Sequence, residues 1–503
     1  MATEILMDSL KGETRVAVVE DGELAEFLLE RADSVKLAGN IYLGRVENVL
    51  PGMNAAFVDI GLAKNGFLYA GDMRMDRRDF GADADKVGAE LDSRTITQLV
   101  RRGQEVLVQV TKEPGGTKGP RLSSHITVPG RLTVLLPSVN YVGISRKIQD
   151  EPERARLRDL LSAIKPADCG VIARTAAEGA TEEELRRDLE AVLRLWQGVQ
   201  RRAQTVKPPA LLCGDATLPF RCVRDMLSPA VARVRIEGRE IYGEALGCAR
   251  LLAPELAERL ELYEGASPLM EQYRLTHQLS RAFSRRVWLR SGGFLVFDTT
   301  EALTVIDVNT GKFTGKTSLE ETILQLNCEA AVEIARQLRL RDIGGIIVID
   351  FIDMAQPEHN QQLTQVFKQA LRRDRSHTNL VGISPLGLME MTRKRQAHTL
   401  SSTMAVTCPE CQGTGTVLSY ETVARMALSD LRVRAAGGQS AAYLIECAPA
   451  VATTLVKLGG LPGVRAFVCG RDAFRNDAFQ ISPAQLNQLP VGTHELTEEN
   501  SQR

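Results

Sequence analysis

The sequence predicts a multidomain α/β protein, and three observations support this fold class. The chain has 503 residues, more than one domain usually holds, and its composition of 44% hydrophobic and 25% charged residues is that of a globular protein. Amphipathic helical segments alternate with apolar, β-branched strands from about residue 127 onwards. The preceding region, residues 37–126, contains mainly short strands between glycine and proline turns, which predicts a separate β domain.

The first 36 residues predict two short strands, with a hairpin turn at Asp21-Gly22. Residues 37–126 then predict a small barrel of the OB type. Phe57 and Phe67 in this barrel are candidate platforms for base stacking, although both are equally readable as core residues. Two lysines are candidate phosphate contacts, Lys112 and Lys118.

Two amphipathic helices are predicted after the barrel, at residues 150–164 and 182–202. A strand between them ends at Arg174-Thr175. Such a pair at a strand end is commonly a solvated turn, so by itself it is a weak functional signal. Within the barrel, an acidic insert at residues 72–92 is predicted to be a loop.

The stretch at residues 304–354 carries the strongest chemical signal. Two apolar runs predict buried strands, with a helix starting near Ser318 between them. The first run carries Asp307 and Asn309, which share one face of a strand because side chains alternate. The second run leads to Asp350. Two carboxylates at the ends of core strands predict a site for a hard cation, although either one alone is also readable as a strand-end cap.

A rival interpretation overlaps the same stretch. GKFTGKTS, from Gly311 to Ser318, nearly matches a phosphate-binding loop between a strand and a helix. Asp350 would then be the second, magnesium-linked carboxylate of a nucleotidase. The spacing is one residue short, because the required first glycine falls at Thr310.

Cys408 and Cys411 form a C-x-x-C pair followed by a glycine-rich turn, the pattern of half a zinc ribbon. The chain contains no second C-x-x-C. Zinc takes four ligands, so the simplest completion is the same pair from a second subunit, which predicts a homodimer. The residues after this motif, 417–503, predict a small α/β domain without a recognisable chemical motif.

The formal net charge of −1 does not indicate a polyanionic partner for the whole molecule. Three basic clusters near the carboxylate stretch are candidates for phosphate neutralisation, at residues 339–341, 372–375 and 392–395. No run of about 18 apolar residues occurs, and the N-terminus lacks a signal-peptide core. We therefore expect a cytoplasmic protein without a membrane span.

Long motifs between residues 12 and 430 match, in order, those of a known family. They are GNIYLGRV, LPGMNAAFVDIG, GTKGPRLSS, RTAAEG, TVIDVNTG, ARQLRLRDIGGIIVIDFIDM, MTRKR and CPECQGTGTV. The chain therefore resembles the bacterial ribonuclease E/G family, and the lack of a long disordered C-terminal scaffold favours its shorter members. GKFTGKT departs from the usual family sequence after the D-x-N motif, without disturbing the acidic residues.

The resemblance implies a ribonuclease H-like subdomain with an inserted OB-fold barrel and a 5′-sensor, followed by a DNase I-like nuclease subdomain, a zinc-link and a small α/β C-terminal domain. The implied boundaries are 1–36 and 211–284 for the ribonuclease H-like subdomain, 37–126 for the OB fold, 127–210 for the sensor, 285–402 for the nuclease subdomain, 403–416 for the zinc-link and 417–503 for the small domain.

The resemblance also implies roles for individual residues. Asp307 and Asp350 match ligands of a catalytic Mg²⁺ ion, and Asn309 matches the residue that orients the site. The RNA-contacting aromatic residues match Phe57 and Phe67, with Lys118 in the adjoining basic loop. The pocket for a 5′-monophosphate matches Arg174, Thr175, Gly130 and Val134. The structural zinc site shared between subunits matches Cys408 and Cys411.

The implied function is magnesium-dependent endonucleolytic cleavage of single-stranded RNA in RNA processing and decay. The implied substrates are rRNA precursors and mRNA, with a preference for 5′-monophosphorylated RNA and with 3′-hydroxyl and 5′-monophosphate ends as products. Zinc sharing implies a homodimer or a dimer of dimers. The alternatives are the nucleotidase with a phosphate-binding loop and a non-catalytic RNA-binding protein.

Overall fold

The computed structural model describes residues 3–31, 36–73, 95–114, 118–214, 216–312, 319–394, 399–438 and 440–497. The chain forms two compact units, residues 1–403 and 404–503. Most of the predicted acidic insert, and the rival phosphate-binding loop from residue 313 to Ser318, lie outside the described residues. Within the described residues, no helix is long and apolar enough to cross a membrane.

The N-terminal strands are β1 (Thr3–Leu10), β2 (Glu13–Glu20) and β3 (Glu23–Arg31). The predicted hairpin is confirmed, because β2 and β3 pair antiparallel around Asp21 and Gly22, whose φ angles are 50° and 84°. Three strands are present where two were predicted. A second tight turn at Lys11 and Gly12 separates β1 from β2, and Lys-Gly is not one of the strong turn dipeptides.

The predicted small barrel is confirmed. Its elements are β4 (Ile41–Leu50), β5 (Ala55–Asp59), β6 (Gly66–Tyr69), α1 (Ile96–Leu99), β7 (Glu105–Lys112) and β8 (Arg121–Ser123). The strand order is β4-β5-β6-β8-β7, and a further pairing of β7 with β4 closes the barrel. Each of these five strands therefore has two neighbours within the barrel, which is consistent with an OB-like barrel.

Both amphipathic helices predicted after the barrel are confirmed. The elements are β9 (Val128–Pro129), β10 (Thr133–Leu136), β11 (Val142–Ile144), α2 (Glu151–Ile164), β12 (Gly170–Ala173) and α3 (Glu182–Thr205). Asp150 caps α2 by accepting from the Glu153 amide, and Thr181 caps α3 with Glu184 in a capping box. The four strands form one sheet in the order β11-β12-β10-β9.

The chain then returns to the N-terminal strands. After β13 (Ala210–Cys213), which pairs with β4, come α4 (Leu218–Met226), β14 (Val231–Glu237), α5 (Arg239–Leu252), β15 (Leu260–Tyr263), α6 (Leu269–Gln272) and α7 (Leu275–Ala282). β14 lies parallel to β1, which gives the sheet order β15-β14-β1-β2-β3. Strands that precede the barrel in the chain and strands that follow it therefore form one sheet.

A six-stranded sheet carries the carboxylate stretch. Its elements are β16 (Arg286–Trp288), β17 (Phe294–Thr299), β18 (Leu303–Asn309), α8 (Leu319–Arg341), β19 (Gly345–Asp350), α9 (Pro357–Leu371), β20 (Thr378–Ile383) and β21 (Met389–Arg393), followed by α10 (Leu400–Met404). The order is β16-β17-β18-β19-β21-β20, and β18 and β19 are parallel because α8 connects them as a crossover.

Among the described residues, helices bury one face of this sheet. Buried residues of α8 and α9, including Leu326, Ile334 and Phe367, pack against Ile306 and Ile349 of the central strands. The two apolar runs are strands, as predicted, but the prediction that they are buried is wrong for their other face, where Ile346 is 51% exposed. An apolar run predicts burial on both faces, but the helices that the structure describes cover only one.

The second unit is a small α/β domain, as predicted. Its elements are α11 (Tyr420–Ala436), β22 (Tyr443–Cys447), α12 (Pro449–Leu458), β23 (Ala466–Gly470), β24 (Phe479–Pro483) and β25 (Thr493–Leu496). The strands form one sheet in the order β24-β22-β23-β25. Val423, Ala427 and Leu431 of α11 pack on this sheet together with α12.

Candidate functional site

The structure brings the two predicted carboxylates together. Asp307 of β18 is the register partner of Asp350, the last residue of β19. Neighbouring strands lie about 4.8 Å apart, so the two side chains project side by side. Both aspartates are exposed, while Ile306, Val308 and Ile349 beside them face the helices. The pair therefore lies on the open face of the sheet.

Asn309 lies beside this pair. Its Nδ2 donates a 2.8 Å hydrogen bond to Oδ2 of Asp307. The two residues are adjacent on one strand face, as the two-residue period predicts. The hydrogen bond restricts rotation of the Asp307 carboxylate and leaves its second oxygen free of this contact.

A buried asparagine that the sequence reasoning missed holds the chain just after Asp350. Asn327 of α8 is fully buried and donates from Nδ2 to the carbonyl oxygen of Ile352 at 2.8 Å. Its Oδ1 accepts a 3.2 Å hydrogen bond from the Ile352 amide. The sequence offers one signal for this role. Asn327 directly follows Leu326 and is a polar residue among the apolar residues of the helix, and a buried polar side chain needs hydrogen-bond partners.

The donor set fits a magnesium ion. Mg²⁺ is usually held by one or two carboxylates and keeps several waters, rather than being enclosed by protein ligands. Asp307 and Asp350 supply two such carboxylates on a solvent-open face. Among the described residues, no cluster of three or more His, Cys, Asp or Glu side chains forms a more complete cage.

The predicted aromatic pair of the barrel lies on adjacent strands. Phe57 of β5 and Phe67 of β6 are register partners, and their ring centroids are 6.0 Å apart at an angle of 69°. Both rings are half-buried, so each keeps an accessible part. Phe67 is in turn the register partner of Arg121 on β8, and Arg121 is the partner of Lys112 on β7. These four residues therefore form one row across the barrel strands. Lys118 is exposed in the loop before β8.

Arg121 is therefore a member of this row that sequence reasoning missed. Its side chain is 42% exposed and forms a two-pronged ion pair with Asp72, with distances of 2.9 and 3.0 Å. The hydrogen bonds that Arg121 donates to the Asp72 carboxylate raise the pKa of Arg121 above its ordinary value. The sequence does carry a signal for its outward position. Arg121 precedes the apolar Leu122, which points into the barrel, and neighbouring side chains on a strand point to opposite faces.

The four predicted sensor residues lie around the junction of β10, β12 and α3. Arg174 donates to the carbonyl oxygen of Gly130 and forms a 2.7 Å ion pair with Asp225. The Thr175 hydroxyl lies 3.0 Å from that of Ser145. Val134 of β10 is opposite Ile172 of β12.

Asp188 of α3 organises this region and was also missed. It is 1% exposed and accepts hydrogen bonds from the backbone amides of Arg131, Leu132 and Thr133 and from the Thr133 hydroxyl. A Cβ added at Gly130 would come within 2.5 Å of its Oδ2, so only glycine fits there. The sequence offers one signal for its burial, because Asp188 lies on the same helical face as the apolar residues Leu185 and Val192.

Cys408 and Cys411 lie in a turn suited to a thiolate. The Gln412 amide donates to the Cys408 carbonyl at 2.8 Å, and the Thr414 amide to the Cys411 carbonyl at 2.9 Å. Hydrogen bonds from the amides of Gly415 and Gly413, together with one from the Cys408 thiol, lower the pKa of Cys411. A thiolate is the form of cysteine that binds metals.

Arginines of the first two basic clusters form ion pairs within the protein, so these side chains are not simply free for the predicted phosphate neutralisation. Arg339 is 8% exposed and pairs with Glu20 and Glu26 of the N-terminal hairpin. Arg373 and Arg375 pair with the same two glutamates, respectively. The sequence cannot reveal this because the acidic partners lie more than 300 residues away along the chain.

Comparisons with known proteins identify similar chains. The model of the Ribonuclease E/G family matches residues 127–396. Ribonuclease G of Haemophilus influenzae is 41% identical over 481 residues, which are 95% of this chain and 97% of that protein. Ribonuclease G of Escherichia coli K12 is 41% identical over 456 residues, 90% of this chain and 92% of that protein. Ribonuclease E of Nostoc sp. is 42% identical over 404 residues, 79% of this chain and 57% of that protein.

Proposed function

This chain belongs to the ribonuclease E/G family and is an endoribonuclease of RNA processing, and we propose that it cleaves single-stranded RNA in a Mg²⁺-dependent reaction. The observation that carries this proposal is the register pairing of Asp307 with Asp350 on the open face of the sheet. The proposed substrates are rRNA precursors and mRNA. The proposed products end in a 3′-hydroxyl and a 5′-monophosphate.

Asp307 and Asp350 are the residues that would hold the ion. When bound, Mg²⁺ supplies an activated water and neutralises charge on the scissile phosphate. Asn309 fixes the orientation of the Asp307 carboxylate through its 2.8 Å hydrogen bond. Phe57, Phe67 and Lys112 offer stacking and cationic contacts to the RNA chain. No ribose 2′-hydroxyl is needed as nucleophile, because water performs the attack.

The direct test uses purified protein and a single-stranded RNA with a 5′-monophosphate. We expect cleavage with Mg²⁺, none with chelator, and ligatable 5′-monophosphate ends on the downstream product. A 2′,3′-cyclic phosphate at the upstream end would contradict the proposed chemistry. Equal cleavage with chelator present would contradict the metal requirement.

We also propose that the pocket around Arg174 binds the 5′-monophosphate of the substrate. The guanidinium fork suits phosphate oxygens, and the Thr175 hydroxyl adds a donor. Burial raises the pKa of Asp225, but hydrogen bonds and charge from Arg224 and Arg174 lower it below its ordinary value. The carboxylate therefore stays charged and holds Arg174 in place before the phosphate arrives.

The Arg174→Ala variant should lose discrimination between RNA ends. A hydrogen bond to a charged group contributes about 1.5–3 kcal/mol, so kcat/KM for 5′-monophosphorylated RNA should fall about 10- to 150-fold. The value for 5′-hydroxyl RNA should not change. Arg186→Ala, at an exposed ion pair of α3, is the matched control. An equal loss on both substrates would show that Arg174 serves folding or general RNA binding instead.

The cysteine turn supports a further proposal, that Cys408 and Cys411 from two chains bind one structural Zn²⁺ ion. The lowered pKa of Cys411 favours the thiolate that zinc requires. Two cysteines per chain supply half of a tetrahedral site, and a second copy of the chain would complete it. A dimer, or a dimer of dimers, would follow from this arrangement.

The Cys408→Ser variant should lose zinc and shift the protein towards monomers. Wild type is expected to contain about half a zinc atom per chain, since four thiolates bind one ion. Elemental analysis and light scattering measure both quantities. Cys213→Ser removes a thiol outside this turn and should leave both unchanged. A full zinc atom per chain in a stable monomer would rule out sharing.

A further inference from the structure

The open face that carries the carboxylates extends to the edge strand β16. Directly opposed residues of neighbouring strands point to the same face of a sheet. Two consecutive rows of opposed residues cross β16, β17 and β18: Arg286–Val296–Asp307 and Trp288–Phe294–Asn309. Arg286, Trp288 and Phe294 therefore share a face with the catalytic residues. Two strand spacings place them roughly 10 Å from Asp307.

These three side chains form one cluster, which we call the edge platform (Arg286, Trp288 and Phe294). The ring centroids of Trp288 and Phe294 are 5.2 Å apart at an angle of 56°. The guanidinium carbon of Arg286 lies 4.4 Å from the centroid of Phe294 and 5.9 Å from that of Trp288. Both distances are within the range of cation–π attraction, which holds the arginine against the rings.

The edge platform is open to solvent. Trp288 is 50% exposed, so half of this large apolar side chain stays in contact with solvent despite its contacts with Phe294 and Arg286. Neighbouring arginines are occupied by carboxylates: Arg285 pairs with Asp298 and Arg290 with Glu23. Within the part of the chain that the structure describes, Arg286 has no such ion pair. Its N–H groups can therefore donate to an anion.

An exposed indole beside an arginine without a carboxylate partner is the combination that single-stranded nucleic acids use. The base supplies a flat apolar face for the indole, and the backbone phosphate supplies negative charge for the guanidinium. A purely apolar partner would satisfy Trp288 but leave the positive charge of Arg286 uncompensated. Since Arg286 and Trp288 lie in the same rows as Asp307 and Asn309, a nucleotide bound to them would lie close to the cleaved bond.

We propose that the edge platform binds one nucleotide of the RNA substrate, next to the cleavage site. The base stacks on Trp288, and Arg286 donates hydrogen bonds to the adjoining phosphate. Phe294 supports both side chains from the same row as Asn309. This inference rests on the proposed ribonuclease function and adds to it a subsite that lies on the nuclease sheet itself, apart from the barrel aromatics.

Fluorescence provides a test that does not require cleavage. The chain contains two tryptophans, so Trp196→Phe leaves Trp288 as the sole indole reporter. Asp307→Asn in the same protein prevents turnover. Titration with a single-stranded RNA should quench Trp288 fluorescence saturably, with the same Kd as anisotropy of the labelled RNA. An abasic nucleotide at the stacking position should bind without quenching. Unchanged fluorescence at saturating RNA would overturn the proposal.

Kinetics with an abasic scan provide the second test. Base stacking on an aromatic side chain predicts a roughly 5- to 150-fold rise in KM for Trp288→Ala and substantial recovery for Trp288→Phe. With the wild-type protein, removing the base at one position of the RNA should raise KM to a similar extent. That same position should have no additional effect in Trp288→Ala, because the lost contact is the same one. Tyr420→Ala, at another exposed aromatic, is the matched control.

The two hypotheses fail in different ways. Lack of cleavage by wild type under all conditions would contradict the proposed ribonuclease function, while quenching would still report on the edge platform. Cleavage by wild type, with equal abasic sensitivity in wild type and Trp288→Ala at every position, would contradict only the edge platform. In that case Trp288 serves the fold or contacts another protein.

Discussion

The Asp307→Asn and Asp350→Asn variants are each expected to lose nearly all RNA cleavage while retaining RNA binding. Each change removes one of the two carboxylates that the paired strands would present to the proposed ion. Loss of metal-ion stabilisation of about 4 kcal/mol corresponds to a decrease in kcat of about 1,000-fold. Binding should persist because the barrel aromatics lie in a different sheet.

Single-turnover cleavage at saturating Mg²⁺ and RNA anisotropy measure the two properties separately. Asp298→Asn is the matched control, because Asp298 is an exposed carboxylate on the same sheet, opposite Val305 and paired with Arg285. Its activity should stay close to that of wild type. Near-normal turnover in either Asp307→Asn or Asp350→Asn would remove these residues from the proposed metal site.

The rival phosphate-binding loop makes a different prediction for the same assay. It requires Lys316→Ala to be the inactivating change and nucleoside triphosphates to be the substrate. Residue 316 lies outside the described residues, so the biochemical comparison decides. We expect Lys316→Ala to keep RNA cleavage and wild type to show no hydrolysis of ATP or GTP.

The Arg393→Met variant is expected to destabilise the six-stranded sheet that carries Asp307 and Asp350 by about 3–5 kcal/mol, since it removes one partner of a buried ion pair. The Arg393 side chain is 4% exposed and that of Asp374 is 2% exposed, with 2.7 Å between Nε and Oδ2. Arg393 also pairs with Asp342 at 2.6 Å. Its backbone lies opposite Gly345 on β19, so the network fixes the strand that ends at Asp350.

Urea unfolding followed by Trp288 fluorescence, in the Trp196→Phe background, reports on this sheet. Arg373→Met is the control, because that side chain is 48% exposed and its ion pair should contribute at most about 1 kcal/mol. Adding Asp374→Asn to Arg393→Met should recover part of the loss by removing the uncompensated charge. Equal midpoints for Arg393→Met and Arg373→Met would contradict a structural role for this network.

Local chemistry made much of the fold predictable. The hairpin at Asp21-Gly22 follows from a dipeptide that tolerates two positive φ angles. The two long amphipathic helices follow from hydrophobic periodicity and from their N-terminal caps. The Lys11-Gly12 turn was missed because Lys-Gly is a weak turn signal. Its two positive φ angles, 47° and 80°, are nevertheless close to those of the Asp21-Gly22 turn.

Prediction was less complete for the arginines and for the buried polar residues. Arg339 was read as part of a basic cluster, but it forms buried ion pairs with Glu20 and Glu26. Asp188 and Asn327 were not singled out, yet Asp188 accepts from three backbone amides and Asn327 pairs with both backbone groups of Ile352. Their partners lie in distant segments, and no local pattern encodes which buried donor an oxygen will meet.

The sequence by itself determined that Asp307 and Asn309 share a face, because side chains alternate along any strand. It also determined the cysteine turn, whose geometry depends on a few consecutive residues. Only the tertiary structure decided that Asp307 lies opposite Asp350 and that Trp288 joins the same face at the sheet edge. Strand register depends on how distant segments pack, and a shift of one residue would turn every side chain to the other face.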